Sequence, residues 1–345
     1  MKTMSTLLSL LVTFLLLAGC GGNSADDQNV NAIQMKTENG MTIPDKATVK
    51  SGEKIKIAVI PKGTTHEYWN SVKAGAEKAA KELDIEIVWK GPLKENDRAG
   101  QIVILQQFVT SEDIDGIVIA PLDADALVKP IRHATNSGKP VVLIDSGLNA
   151  KVGEDFVSLV ATDNFKGGEL GGKELLKLLD NKGKVVLLRY LVGSASTGQR
   201  EAGFLKEMKA DPNIQMLVDN RYGGATSSEA KVNALNLIDK IKDADGLFAS
   251  NEAATLGLLL ALEQVHIAGK KKFVGFDSSE PLVRALKEDK INALVVQNPK
   301  KMGYEGVQTL VKFLKGEGVK DRIDTGVAVV TKENLDKPEI KELIE

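Results

Sequence analysis

Lys62, Asp123, Asp145, Asn251, Asp277 and Gln297 each stand just beyond a short apolar run. Asp accepts hydrogen bonds, Lys donates three, and Asn and Gln do both. Tyr68 and Trp69 follow the first such run, in a chain only 4% aromatic. Nothing beside them supplies bond-breaking chemistry. There is no G-x-G-x-x-G after a strand, no G-x-x-x-x-G-K-[ST] and no G-x-S-x-G elbow. His66, His133 and His266 lack metal-ligand spacing, and the single Cys20 excludes an intramolecular disulfide and Cys-based clusters. Carboxylates are plentiful, but no two read as an acid/base couple. The chemistry on offer is hydrogen bonding and ring contact, which is the chemistry of binding.

The elements that position these residues alternate. Ile55–Pro61 reads as a strand, Glu67–Leu83 as a helix, Ile85–Trp89 as a strand, Gln101–Thr110 as a helix. Gly116–Ala120 and Val141–Ile144 are further strands around a helix at Ala124–Ser137. The rhythm restarts after Ala161. Strands are expected at Lys184–Arg189, Ile214–Val218, Gly246–Ala249, Phe273–Phe276 and Ala293–Gln297. Helices are expected at Asn164–Leu179, Thr197–Ala210, Ser228–Lys242, Glu252–Val265, Ser279–Lys287 and Lys301–Lys315. Short buried strands separated by helices imply parallel sheets covered on both faces. The fold class is α/β, with two open doubly wound parallel-sheet domains. Ligands of such sheets sit beyond the carboxyl ends of the strands. Polar strand ends on both halves therefore place a cleft between two domains. Gly167-Gly168 and Gly171-Gly172 read as small residues for close packing rather than as a phosphate loop.

The 345 residues carry 45 Lys+Arg against 47 Asp+Glu, a formal charge of -2. That balance argues against nucleic acid as a partner, which demands a basic face. Residues 1–20 join Lys2, an apolar stretch from Leu7 to Ala18 and small residues before Cys20. The stretch is too short to span a bilayer and reads as a signal peptide over 1–19. Its Leu-Ala-Gly-Cys end resembles the bacterial lipobox, which implies lipidation at Cys20. Residues 20–52 are polar and aperiodic and read as a lipidated cysteine with a flexible tether.

Over roughly Lys54–Thr331 the chain resembles the type I periplasmic sugar-binding proteins of ABC transporters, ribose-binding-like group. The resemblance rests on Tyr68-Trp69 with Val72–Ala76, on Asp115–Pro121, on Thr162–Asn164, on Ser194–Phe204, on Ser250–Glu252 and on Val274–Asp277. It implies stacking aromatics at Tyr68 and Trp69. It implies polar ligand-binding residues at His66, Asp145, Arg200, Asn251, Asp277 and Gln297. Where the ribose-type pattern has Arg after the cleft Asp, this chain has Ser146; for Asn-Pro before the aromatics it has His66-Glu67. Tyr222 is the only aromatic near the second lobe's stacking position, and Ser146 and Tyr222 join the expected ligand-binding residues. Ile60–Lys62 and Lys90–Pro92 resemble the rhamnose and autoinducer-2 branch, in which the Lys contacts ligand, so Lys62 joins the set. Alternatives stay open: Trp69 also fits a helix core, Asp277 a helix cap, Arg200 a solvated helix face and Lys62 a solvated loop.

The resemblance implies an exported, lipid-anchored monomer that closes on a monosaccharide and presents it to ABC permease subunits. No enzyme activity, cofactor or metal is implied. A sensor of a sugar or of autoinducer-2, signalling to a chemoreceptor or kinase, is the alternative. One lobe is expected to comprise 53–162 with 298–325, the other 163–297 with 326–345. Chain crossings are expected near Val160–Asp163, Asp277–Ser279 and Gln297–Pro299, forming a three-strand hinge.

Overall fold

The computed structural model describes residues 32–49, 52 and 54–344. The expected signal peptide, Cys20 and the start of the tether lie outside these residues. The chain opens with β1 (Met35–Glu38) and β2 (Met41–Pro44), an antiparallel hairpin. The alternation then runs β3 (Lys56–Ile60), α1 (Glu67–Leu83), β4 (Glu86–Trp89), α2 (Arg98–Val109), β5 (Gly116–Ile119), α3 (Val128–Asn136), β6 (Val141–Ile144) and β7 (Ser158–Ala161). It continues with α4 (Asn164–Leu178), β8 (Gly183–Arg189), α5 (Ala195–Ala210), β9 (Ile214–Tyr222), α6 (Ser227–Leu235), α7 (Ile238–Asp243), β10 (Gly246–Ala249) and α8 (Glu252–Gln264). The last elements are β11 (Lys272–Phe276), α9 (Glu280–Lys287), β12 (Ala293–Gln297), α10 (Pro299–Leu314), β13 (Val319–Lys320), β14 (Arg322–Asp324), β15 (Val327–Thr331) and α11 (Pro338–Ile344).

Two six-stranded sheets carry the two lobes. The first has the order β4-β3-β5-β6-β7-β14, all parallel, and the second β9-β8-β10-β11-β12-β15. In the second, β15 alone runs antiparallel, on β12. Strands β5, β6 and β10 are buried along their whole length, as sheets covered on both faces require. Each lobe has apolar clusters on both faces of its sheet.

The first five strands of each sheet share one topology, and each lobe closes one face with a tight helix pair. A Cβ on Gly75 of α1 would stand 1.9 Å from the Lys300 carbonyl oxygen of α10. One on Gly168 of α4 would stand 1.9 Å from the Arg200 carbonyl oxygen of α5. The four glycines of α4 divide their work: Gly167 and Gly171 meet Phe276 and Phe248 of the sheet, Gly168 and Gly172 meet α5.

The chain passes between the sheets after β7, after β12 and between β14 and β15. The crossing expected at Asp277–Ser279 does not occur. That segment joins β11 to α9, and Leu282, Ala285 and Leu286 keep α9 on the second lobe's core. The third passage is at Thr325-Gly326, where β14 hands over to β15. Part of the segment read as tether is folded. Residues 35–44 fold as the β1–β2 hairpin, β2 pairs with β13, and Thr42 is fully buried with its hydroxyl on Asp321.

Candidate functional site

The carboxyl ends of β3, β6, β8, β10, β11 and β12 converge on one chamber between the lobes. Pro61-Lys62 extends β3, and the segment to His66 leads into α1, whose first turn carries Tyr68 and Trp69. Asp145 follows β6 and Asp277 follows β11, each with positive φ (63° and 71°). A non-glycine residue in this region is strained, and such strain gathers at functional sites. Here it turns a carboxylate from each sheet inward. Asn251 follows β10 and caps α8 through the Ala254 N–H at 3.1 Å. Arg200 comes from α5 and Gln297 ends β12.

The chamber measures about 30 Å3. Its walls include Lys62, His66, Tyr68, Trp69, Asp145, Arg200, Asn251, Asp277 and Gln297, nine of the positions expected from sequence. Glu95, Tyr190, Ser196, Thr197 and Glu252 complete it. A groove of about 560 Å3 along α9 and α11 shares Tyr68, Glu252, Asp277 and Gln297 with the chamber.

In the first lobe the polar groups answer one another. Lys62 Nζ lies 2.5 Å from Asp145 Oδ2, and Tyr68 donates its hydroxyl to Asp145 Oδ1 at 3.0 Å. His66 Nδ1 and Trp69 Nε1 each lie 2.7 Å from Glu95 Oε1. Burial disfavours the His66 cation, but the charge and hydrogen bond of Glu95, with Glu252 nearby, outweigh it and lift the imidazole to about 9. Burial likewise resists ionisation of Glu95, yet His66, Lys62 and the indole N–H bring it down to about 2.

In the second lobe the backbone does more of the holding. Asp277 Oδ2 accepts the Glu252 N–H at 2.8 Å, and its Oδ1 accepts from Gln297 Nε2 at 2.7 Å. Burial raises the Asp277 carboxyl, against the charge of Arg200. Arg200 donates to Asn164 Oδ1 at 2.8 Å and to the Ser250 carbonyl at 3.1 Å, with its guanidinium 4.0 Å from the Phe276 ring centroid. Arg200 is thus buried in the cleft wall and not on a solvated face.

Several contacts bridge the lobes. Lys62 donates to Ser196 Oγ at 3.0 Å, and Tyr190 donates its hydroxyl to Glu95 Oε2 at 2.9 Å. Two bridges are exchanged helix caps. His66, at the N-cap of α1, makes no side-chain cap bond; Glu252 of the other lobe accepts the N–H groups of Glu67 (3.3 Å) and Tyr68 (3.1 Å) instead. Ser279, at the N-cap of α9, makes none either, and Glu67 of the first lobe accepts the Glu280 N–H at 3.0 Å. A carboxylate suits a helix N-terminus because of the orphan N–H groups and the dipole there.

Two expected site residues stand apart from the chamber. Ser146 does not line the chamber; it is fully buried and accepts the Ser196 N–H at 3.1 Å, joining the lobes. Tyr222 ends the edge strand β9 and is 40% exposed, its ring 6.0 Å from the Arg189 guanidinium. Being outermost, β9 directs that end to solvent. Tyr190, beyond β8 one strand further in, supplies the second lobe's aromatic instead. Trp69 lines the chamber and is also packed in the core with Val72 and Ala76. Tyr190 was reachable from sequence, because it directly follows the apolar run of β8.

Among the described residues, no cluster of three His, Cys, Asp or Glu is placed to hold a metal, and no helix is long and apolar enough to cross a membrane.

The sequence model of the periplasmic binding protein domain matches residues 57–318. The D-ribose/D-allose-binding protein of Pseudomonas aeruginosa is 31% identical over 288 residues, covering 81% of this chain and 89% of its own. The ribose import binding protein of Escherichia coli is 28% identical, covering 83% and 95%. A carbohydrate transporter solute-binding protein of Agrobacterium radiobacter, solved with D-arabinose, superposes with a TM-score of 0.81 at 35% identity, over 86% of this chain and all of that one. An Agrobacterium vitis solute-binding protein with bound D-fucose has a TM-score of 0.81 at 34% identity, over 84% of this chain and all of that one. With two doubly wound lobes and polar strand ends meeting between them, the chain belongs to the periplasmic binding proteins, in the type I, ribose-binding-like sugar-binding group.

Proposed function

We propose that this chain is an extracytoplasmic lipoprotein that captures a monosaccharide (a pentose, hexose or deoxysugar) between its lobes and delivers it to an ABC importer. The observation that carries the reading is the meeting of strand-end donors and acceptors from both lobes in one chamber. Lys62 and Arg200 would donate to sugar hydroxyls, Asp145 and Asp277 would accept, and His66 would line the site with its N–H groups held by Glu95 and Ala225. Asn251 and Gln297 would do either, and Tyr68 and Trp69 would meet the C–H faces. At about 30 Å3 the closed chamber has room for about one water. Sugar capture therefore needs the lobes to part and re-close at the three crossings. The sugar drives closure only by binding the closed state better than the open one. The Leu-Ala-Gly-Cys sequence supports attachment through Cys20.

A thermal-shift screen of D-ribose, D-allose, D-arabinose and D-fucose tests the reading. A sugar present at one hundred times its Kd should add about 2.7 kcal/mol of stability. No shift with any pentose, hexose or deoxysugar would sink it. Cys20→Ala should release the protein from the membrane fraction; unchanged membrane association would remove the lipid anchor from the proposal.

A further inference from the structure

We propose that Glu95 is the positioning residue of this site: it fixes a ring from each lobe and keeps His66 doubly protonated, so that the imidazolium donates across the cleft. The inference rests on the sugar-binding reading above. Glu95 is buried in the loop between β4 and α2, and its carboxylate takes three donors. Oε1 faces His66 Nδ1 and Trp69 Nε1, and Oε2 accepts from Tyr190 OH. Trp69 belongs to the first lobe and Tyr190 to the second, so one carboxylate sets a chamber wall on each side.

The protonation argument is geometric. One imidazole nitrogen faces the Glu95 carboxylate, and the other lies 3.1 Å from the Ala225 carbonyl oxygen of the second lobe. With Glu95 ionised, as its three donors favour, both partners are pure acceptors, so both nitrogens carry protons; a neutral imidazole has only one N–H. The groups around His66 agree. Glu252 comes from the start of α8 and adds negative charge, while Lys62 acts on the same Glu95 from the β3–α1 loop. The Tyr190 hydroxyl stays protonated, because burial raises it well above the ordinary phenol range and Glu95 raises it further. Glu95 and His66 share a lobe, so the pair persists when the cleft opens. Closure adds the bonds to Ala225 and Tyr190.

The test uses the imidazole signals of the protein, which has three histidines. NMR titration should place His66 near 9 in the wild type. In Glu95→Gln the midpoint should fall by at least two pH units, and affinity for whichever sugar of the D-ribose, D-allose, D-arabinose and D-fucose panel binds should drop at least tenfold. A His66 midpoint within half a unit of wild type would overturn the proposal. If circular dichroism shows that Glu95→Gln does not fold, Tyr190→Phe takes its place. It should keep the His66 midpoint and weaken sugar binding about threefold to tenfold; unchanged affinity would overturn the cross-cleft role. A wild type that binds no sugar of the panel would count against sugar capture, and the His66 titration would still decide the role of Glu95.

Discussion

The two lobes repeat one strand order, and Asp145 and Asp277 occupy equivalent strand ends with the same left-handed backbone. Their surroundings differ. Asp145 answers a buried ammonium and a phenol, side chain to side chain. Asp277 answers a main-chain N–H and an amide. The first lobe holds its site by coupled charges, the second by helix ends and backbone. A charged network depends on every member, whereas a capped helix end tolerates the loss of one contact. Equivalent positions in a repeated topology have thus been given opposite sensitivities.

That contrast is sharpest at the two aspartates. Asp145→Ala leaves Lys62 buried without its counter-ion and should cost about 3–5 kcal/mol of stability. Lys62→Met combined with Asp145→Ala should recover part of that loss, measured by denaturant unfolding. The next largest effect is on pH. Burial raises the Glu252 carboxyl, His66 opposing and Asp277 adding, to about 7 from an ordinary 4.5. A raised carboxyl gives stability that is present below pH 4.5 and lost as pH rises through 7, about 3 kcal/mol in all. Melting temperature should therefore fall from pH 5 to 7, and Glu252→Gln should flatten that slope; an unchanged slope would place the proton elsewhere. The raised His66 acts in a higher window, with stability lost between 6.5 and 9. Asp277→Ala should cost less than Asp145→Ala, about 1–3 kcal/mol for two unsatisfied donors. Equal losses at the two aspartates would break the comparison. Tyr222→Ala, on an exposed edge, should stay within about 0.5 kcal/mol and leave sugar affinity unchanged by calorimetry.

Much of the fold was readable because buried parallel strands are continuous apolar runs. Val141–Ile144, Gly246–Ala249 and Ala293–Gln297 have the expected bounds, as does the helix Glu67–Leu83. Ser228–Lys242 proved to be two helices, interrupted at Asn236-Leu237. The elements missed are short or lie at edges: β13 and β14 lack an apolar run, β7 is four residues long, and β15, though apolar over Val327–Val330, is an edge strand. The β1–β2 hairpin did leave a signal in Asn39-Gly40, whose φ values of 52° and 73° suit the two-residue turn that Asn-Gly favours. The misplaced crossing arose because a polar strand end looks the same whether the chain stays in its lobe or leaves it. At the site, the strand-end rule marked five wall positions, Lys62, Asp145, Asn251, Asp277 and Gln297, and the family resemblance added His66, Tyr68, Trp69 and Arg200. Tyr222, named from the resemblance, stands outside the wall because strand order, which makes β9 an edge, is not written in the strand itself. Glu95 was missed because its loop offers several polar residues, Lys94 through Asp97, and only the fold selects which one turns inward.

The exchanged helix caps of Glu252 and Glu67 have a mechanical consequence. The two contacts sit at different helix ends and point in opposite directions between the lobes. Parting the lobes stretches both together, so the pair acts as a latch on the closed form. Each opening hands the first N–H groups of α1 and α9 to water, because neither His66 nor Ser279 caps its own helix. Each closing returns both helix ends to their glutamates, so the free energy of closure includes a share from helix ends that lie apart from any bound sugar.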